Sequence, residues 1–185
     1  MTNSLHTDAT AVLTSWSATD AEQEQLRRLY LAHLAAEPTA MTRECHPDHL
    51  TASCLVITAD GSLVALTRHP KAGLWLQTGG HCEPDDASLA DAALREAAEE
   101  SGLSDLTIDP VPLRLSRHAV PFCGPVQPAH HLDVQFMAVA ASTDLVMSDE
   151  SDDLAWWPSD EPPEPTDQDV RDLITAAKRR LQENL

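Results

Sequence analysis

Residues 79–103, GGHCEPDDASLADAALREAAEESGL, constrain this chain more than any other stretch. Gly79-Gly80 interrupts whatever element precedes it, and Ser88-x-x-Asp91 is a capping signal that opens a helix which Gly102 can close. At roughly 100° per residue, Glu96, Glu99 and Glu100 fall within one narrow helical face, where like charges repel. An acidic, solvated face is the ordinary reading of such a cluster. Two features argue otherwise: the carboxylates lie toward the C-terminal half of the helix, where the macrodipole disfavours anions, and alanines rather than lysines surround them. A hard divalent cation would neutralise the cluster, because Mg²⁺ takes one or two carboxylates and bridges to phosphate oxygens. Such an ion withdraws charge from a phosphoryl centre and acidifies water, and the glycine pair lets backbone come close without Cβ interference.

These residues closely resemble the box of the Nudix family, which runs Gly, five residues, Glu, seven residues, Arg-Glu, apolar, any, Glu-Glu, any, Gly, apolar. Every position from Arg95 to Leu103 fits, REAAEESGL. Upstream, Gly80 plus five residues reaches Asp86 in place of glutamate, and eight residues rather than seven then precede Arg95. The extra residue falls before the helix and leaves the glutamate register intact. Taken at face value, the resemblance implies an α+β fold (an α/β sandwich) with a mixed β-sheet between helices. It also implies a Mg²⁺ site, with Mn²⁺ as the alternative ion, and hydrolysis of a phosphoanhydride bond in a nucleoside diphosphate derivative by water attack at phosphorus. Carried over residue by residue, Glu96, Glu99 and Glu100 would ligate metal together with the Gly79 carbonyl. Arg95 would orient the carboxylates, and Asp86, or Glu83 in its stead, would brace the loop. The family's base is often a late-loop glutamate, here Glu150. Arg95, Glu96, Glu99 and Glu150 thus form the expected catalytic set.

The rest of the chain supplies a matching order of elements. Thr19-x-x-Glu22 is a capping box, and Leu26, Leu29, Tyr30 and Leu34 recur at helical spacing, predicting a helix from about Asp20 to Ala36 after a polar leader. HLTASCLVITA and SLVALTRH flank Asp60-Gly61 as a hairpin. A short LWLQ run follows, then TIDPVPLRLSRHAV, HHLDVQFMAVA and DLAWWP as strands. Thr166 is expected to cap a last amphipathic helix bearing Val170, Leu173, Ile174, Ala177 and Leu181. The expected organisation is residues 1–40 as a leader and additional N-terminal helix packed on the domain, and 41–185 as the Nudix domain. The Leu and Tyr stripe of that first helix suits either its own sheet or a partner subunit, so a homodimer is one expectation.

Charge narrows the partners. Twelve Lys and Arg against 30 Asp and Glu give a formal charge of −18, which opposes nonspecific binding to nucleic acid or anionic membranes. A small phosphorylated, nucleotide-like substrate remains compatible. With no basic-then-apolar leader and no run approaching ~18 apolar residues, the reading is a cytoplasmic protein without a membrane span. The four cysteines include no C-x-x-C pair, so neither a zinc ribbon nor a disulfide scaffold is expected.

Outside the box, Arg68 and Trp75 precede the glycine turn and could meet phosphate and base, with Trp75 weighed against a packing role. His81 abuts that turn. On HHLDVQFMAVA, alternation places His131, Asp133 and Gln135 on one face and Leu132, Val134 and Phe136 on the other, so His131 and Asp133 join Arg68, Trp75 and His81 as substrate-binding candidates. His118, Cys123, His130 and His131 match no zinc spacing, which favours substrate-facing or surface histidines over a second metal site. Two other functions are weighed: a noncatalytic nucleotide-binding Nudix-like module, and isomerase chemistry like that of isopentenyl-diphosphate isomerases, for which Cys82 would be the thiol.

Overall fold

The computed structural model describes residues 4–121, 123–147 and 152–183. These residues form helices α1 (Ser4–Ser15), α2 (Ala21–Ala36), α3 (Leu89–Ser101) and α4 (Gln168–Glu183). They also form strands β1 (His49–Thr58), β2 (Leu63–Arg68), β3 (Trp75–Leu76), β4 (Thr78–His81), β5 (Leu106–Ala119), β6 (His130–Ala140) and β7 (Asp153–Pro158). The strands make one mixed sheet in the order β3-β2-β1-β6-β5, with β4 on β1 and β7 on β2. Only the β1–β6 pair is parallel among the described ladders.

The alternation of β1 and β6 decides what lies on each side of the sheet. Leu50, Ala52, Cys54 and Val56, with Leu132, Val134, Phe136 and Ala138, pack against α1, α2 and α3. Leu55, Ile57 and Met137 point the other way, onto Val170, Leu173, Ile174 and Ala177 of α4. Helices therefore cover both faces, the α+β sandwich expected from the sequence. Near the N-terminal ends of β1 and β6 the α4-side face turns polar: His49, Thr51 and Ser53 run beside His131, Asp133 and Gln135.

The N-terminal segment differs from the expected polar leader. It folds as α1, anchored by buried Leu5, Ala9 and Leu13. Three apolar contacts among threonines and serines are a weak periodic signal, and tertiary burial stabilises what local propensity leaves marginal. The cap of α2 is Asp20 rather than Thr19, since the Asp20 carboxylate accepts the Gln23 N–H at 2.9 Å. Likewise Asp167, not Thr166, accepts the Val170 N–H at 3.0 Å ahead of α4, while Thr166 donates to the Trp75 carbonyl.

Helix α2 packs on its own sheet and also closes an edge. Gln23 accepts the Leu115 N–H at 2.7 Å and donates to the Leu115 carbonyl at 3.0 Å, and Trp16 donates to the Pro112 carbonyl at 2.7 Å. Backbone groups of the outer strand β5 are thereby paired instead of left open to another chain. Tyr30, fully buried, donates to the Ser116 carbonyl at 2.7 Å. Tyr30→Phe is expected to cost about 1–2 kcal/mol by stranding that carbonyl. Urea unfolding would register it as a lower midpoint with an unchanged m-value, and an unmoved midpoint would refute the anchoring role.

Candidate active site

Ser88 caps α3, accepting the Asp91 N–H at 3.0 Å, and Gly102 ends it in the left-handed conformation at φ 69°. The extra residue before Arg95 is accordingly taken up in the 82–87 loop, ahead of the helix. Arg95 gathers the loop and helix together. Its Nε and Nη2 donate to Asp86 at 3.0 and 3.1 Å, Nη2 also donates to the His81 carbonyl at 3.0 Å, and Nη1 donates to Glu96 at 3.2 Å and Glu99 at 3.0 Å. A planar guanidinium suits this arrangement because it can serve a bidentate carboxylate and further acceptors at once. Its pairing with Asp86, more than any other contact, raises the Arg95 pKa above its ordinary value. Asp86 is 7 % exposed and also accepts the Glu83 N–H at 2.7 Å, so aspartate at 86, rather than Glu83, is the loop's bracing carboxylate.

The glycines sit where side chains would not fit. A Cβ on Gly80 would lie 2.6 Å from Glu96 Oε1, and one on Gly79, where φ is 154°, would lie 2.4 Å from the Ser53 Cβ. The Gly79 N–H donates to Glu100 Oε1 at 2.8 Å, which ties strand β4 to the helix. Two carboxylates of this helix, Glu96 and Glu100, both largely shielded, meet the glycine turn, while Glu99, with 60 % of its side chain exposed, is joined to them through Arg95. Hard oxygen donors on one helical face, beside a cradle that a Cβ would fill, are of the chemical type a Mg²⁺-type cation takes.

The other sequence candidates divide. Trp75 is 7 % exposed and stands edge-on to Trp157 with ring centroids 5.3 Å apart, so its ring packs beneath α4 and offers no stacking surface to a base. Arg68 is exposed at the end of β2 and forms no ion pair among the described residues. Asp133 is 2 % exposed and accepts hydrogen bonds from Thr51 at 2.9 Å and Ser53 at 2.6 Å. Burial pushes its pKa up, and it serves as a buried strut between β1 and β6 rather than a group at the cleft surface. Glu150 lies outside the described residues. Cys82 is buried, and its thiol is pushed up to about 12, chiefly by burial, which leaves it no thiolate for isomerase chemistry.

Of these histidines, His118 is exposed, whereas His81, His130 and His131 are partly buried. His81 and His131 come together with His49 and Cys123, their ligand atoms all within 4.8 Å of one another. Burial lowers His81 to about 4 and His131 to about 2. His130 instead pairs with Asp48 at 3.1 Å, and His118 stays one ring further out, its centroid 5.5 Å from that of His131. Sequence reasoning passed over His49 entirely. Its only cue was its place at the head of β1, and pairing with β6 is what makes that place matter.

The NUDIX domain model matches residues 47–178, which span every strand, α3 and most of α4. The chain belongs to the Nudix family. A hydrolase of the NUDIX family from Clostridium perfringens is similar in fold, with a TM-score of 0.55 at 22% identity over 74% of this chain and 98% of that one. A C. elegans Ap4A hydrolase has a TM-score of 0.58 at 16% identity, over 72% and 98% of the two chains. The NUDIX domain of Shewanella oneidensis NrtR, solved with ADP ribose, has a TM-score of 0.57 at 25% identity, over 81% and 97%. Comparison with curated proteins gives no match. Among the described residues, no helix is long and apolar enough to cross a membrane.

Proposed function

We propose that this Nudix protein is a pyrophosphohydrolase: it hydrolyses a phosphoanhydride bond in a nucleoside diphosphate linked to another moiety, by water attack at phosphorus, with Mg²⁺ as its cofactor. The observation that carries this reading is the intact Arg95–Asp86–Glu96–Glu99 constellation against the glycine turn. Glu96, Glu99 and Glu100, with the Gly79 carbonyl, would hold the cation. When bound, such an ion withdraws charge from the phosphoryl group and acidifies water. Arg95 keeps Glu96 and Glu99 oriented, and its bidentate hold on Asp86 stops the 82–87 loop from drifting off the helix. Glu100 holds the Gly79 N–H and with it the glycine turn of β4 beside the carboxylates. Arg68, exposed on β2, is the cationic side chain proposed to meet the substrate, and Glu150 is the proposed base.

The noncatalytic module is the second reading, supported by the NrtR domain's structure with ADP ribose. Retention here of every glutamate of the REAAEE segment favours catalysis instead. Purified protein incubated with Mg²⁺ and a panel of nucleoside diphosphate derivatives, ADP-ribose and dinucleoside polyphosphates among them, should release two phosphate-bearing or phosphate-ending products from at least one. Tight binding across that panel without turnover would favour the binding module.

A further inference from the structure

We propose that His49, His81, Cys123 and His131 form a second metal site, a closed tetrahedral His₃Cys centre for zinc, separate from the carboxylate site. Four segments supply it: the head of β1, the end of β4, the β5–β6 connection and the head of β6. The fold brings them together through register. Parallel pairing sets His49 opposite His131, and antiparallel pairing sets Thr51 opposite His81, two residues along β1 on the same face. Cys123 then closes the fourth side, its sulfur 3.9 Å from His49 Nε2 and 3.8 Å from His81 Nε2.

These separations are close to what zinc would require. With Zn–S of about 2.3 Å and Zn–N of about 2.0 Å, tetrahedral ligation places sulfur and nitrogen roughly 3.5 Å apart. For those two sulfur–nitrogen pairs a contraction of a few tenths of an ångström would suffice, and all four ligand atoms already lie within 4.8 Å of one another. The rings are already grouped: centroids of His49, His81 and His131 are mutually 5.0 Å apart.

Hydrogen bonding also points to a ligand. His49 Nδ1 lies 3.2 Å from the Cys45 carbonyl, which selects the tautomer with the proton on Nδ1 and leaves the Nε2 lone pair facing Cys123. A carbonyl on the far nitrogen is the usual way a ligating imidazole is oriented. His131 Nε2 is buried and has no hydrogen-bond partner among the described residues, an arrangement that costs free energy in the absence of a ligand. Burial keeps His81 and His131 neutral at pH 7, the form that ligates metal. Arg43 is a positive charge felt by all three imidazoles, and a thiolate among the ligands would offset it.

Imidazole and thiolate select zinc over Mg²⁺, whereas the glutamate cluster has the opposite preference. Successive residues of a strand face opposite ways. The side of β4 at Gly80 meets Glu96, so His81 projects on the other face of the sheet. With all four positions filled by protein, the ion has a structural role. It clips the β5–β6 connection onto the sheet and holds His81, whose carbonyl receives Arg95 Nη2 at 3.0 Å. Binding releases the Cys123 thiol proton to solvent.

The full chain, stripped with chelator, would be titrated with Zn²⁺ alone and with Co²⁺ alone. One equivalent per chain is expected, with the intense visible bands of tetrahedral Co²⁺ and a near-ultraviolet thiolate-to-cobalt charge-transfer band. Zinc at about 100 times its Kd should raise Tm by roughly 5–10 °C. Cys123→Ser should remove the charge-transfer band, His131→Gln should weaken binding at least tenfold, and Glu99→Gln should leave both intact. The proposal fails if the wild-type chain binds no stoichiometric metal, or if Co²⁺ gives only weak octahedral bands. It also fails if the thiolate band survives Cys123→Ser or disappears in Cys45→Ser or Glu99→Gln. The wild-type spectrum decides the matter even if a histidine variant does not fold, and it is independent of any hydrolase activity.

Discussion

Glu100→Gln and Glu99→Gln should each lower turnover of the substrate found in the panel by roughly 100-fold or more, the scale on which removing one preorganised electrostatic contribution acts. Glutamine can still accept the Gly79 N–H through its own Oε1, so the 2.8 Å bond that ties β4 to α3 has a replacement acceptor. What is lost is charge. Glu99, with 60 % of its side chain exposed, holds only one Arg95 hydrogen bond, so its removal should shift stability by under about 1 kcal/mol. Steady-state kinetics paired with thermal unfolding separates the two effects. Undiminished kcat in both variants would rule out the glutamates as the metal ligands, and a collapse of Tm matching the loss of activity would recast them as structural.

Arg95→Met is the second large effect, and it falls on the fold as well as on activity. Asp86 has 6 % of its side chain exposed and would be left as an almost buried, unpaired carboxylate. Breaking a shielded pair from one side costs about 3 kcal/mol at the lower end of the usual range, which suits Arg95 with 21 % of its side chain still exposed. For a chain of this length the corresponding fall in Tm is about 6–12 °C. Adding Asp86→Asn should recover part of the stability, because asparagine stays neutral and still accepts the Glu83 N–H, while activity stays low. Denaturant midpoints of the single and double variants give the coupling directly. A single variant within about 0.5 kcal/mol of wild type would remove Arg95 as the loop's anchor.

Much of the helix at the centre of the site was legible because its signals are local. Ser88, Gly102 and the offsets of three and four that align Glu96, Glu99 and Glu100 act within a few residues of one another, so one helical register settles them. The β1–β2 hairpin and the face alternation of β6 were legible for the same reason. Helix α1 was not, since Leu5, Ala9 and Leu13 give little apolar signal until the rest of the core receives them.

Trp75 and Asp133 illustrate what a sequence leaves undecided. Both are residue types that substrates use, yet one packs on Trp157 and the other is a buried strut between strands, outcomes set by which elements cover them. The histidine and cysteine cluster goes furthest in that direction. His49, His81, Cys123 and His131 follow no motif, because their meeting depends on β1 being paired in parallel with β6 on one edge and antiparallel with β4 on the other. By itself the sequence determined the carboxylate helix and the family it belongs to, through short-range periodicity and capping. Only the tertiary structure decided which polar residues are buried and which imidazoles share a centre, since strand register acts between segments far apart in the chain, as in the pairing of His49 with His131.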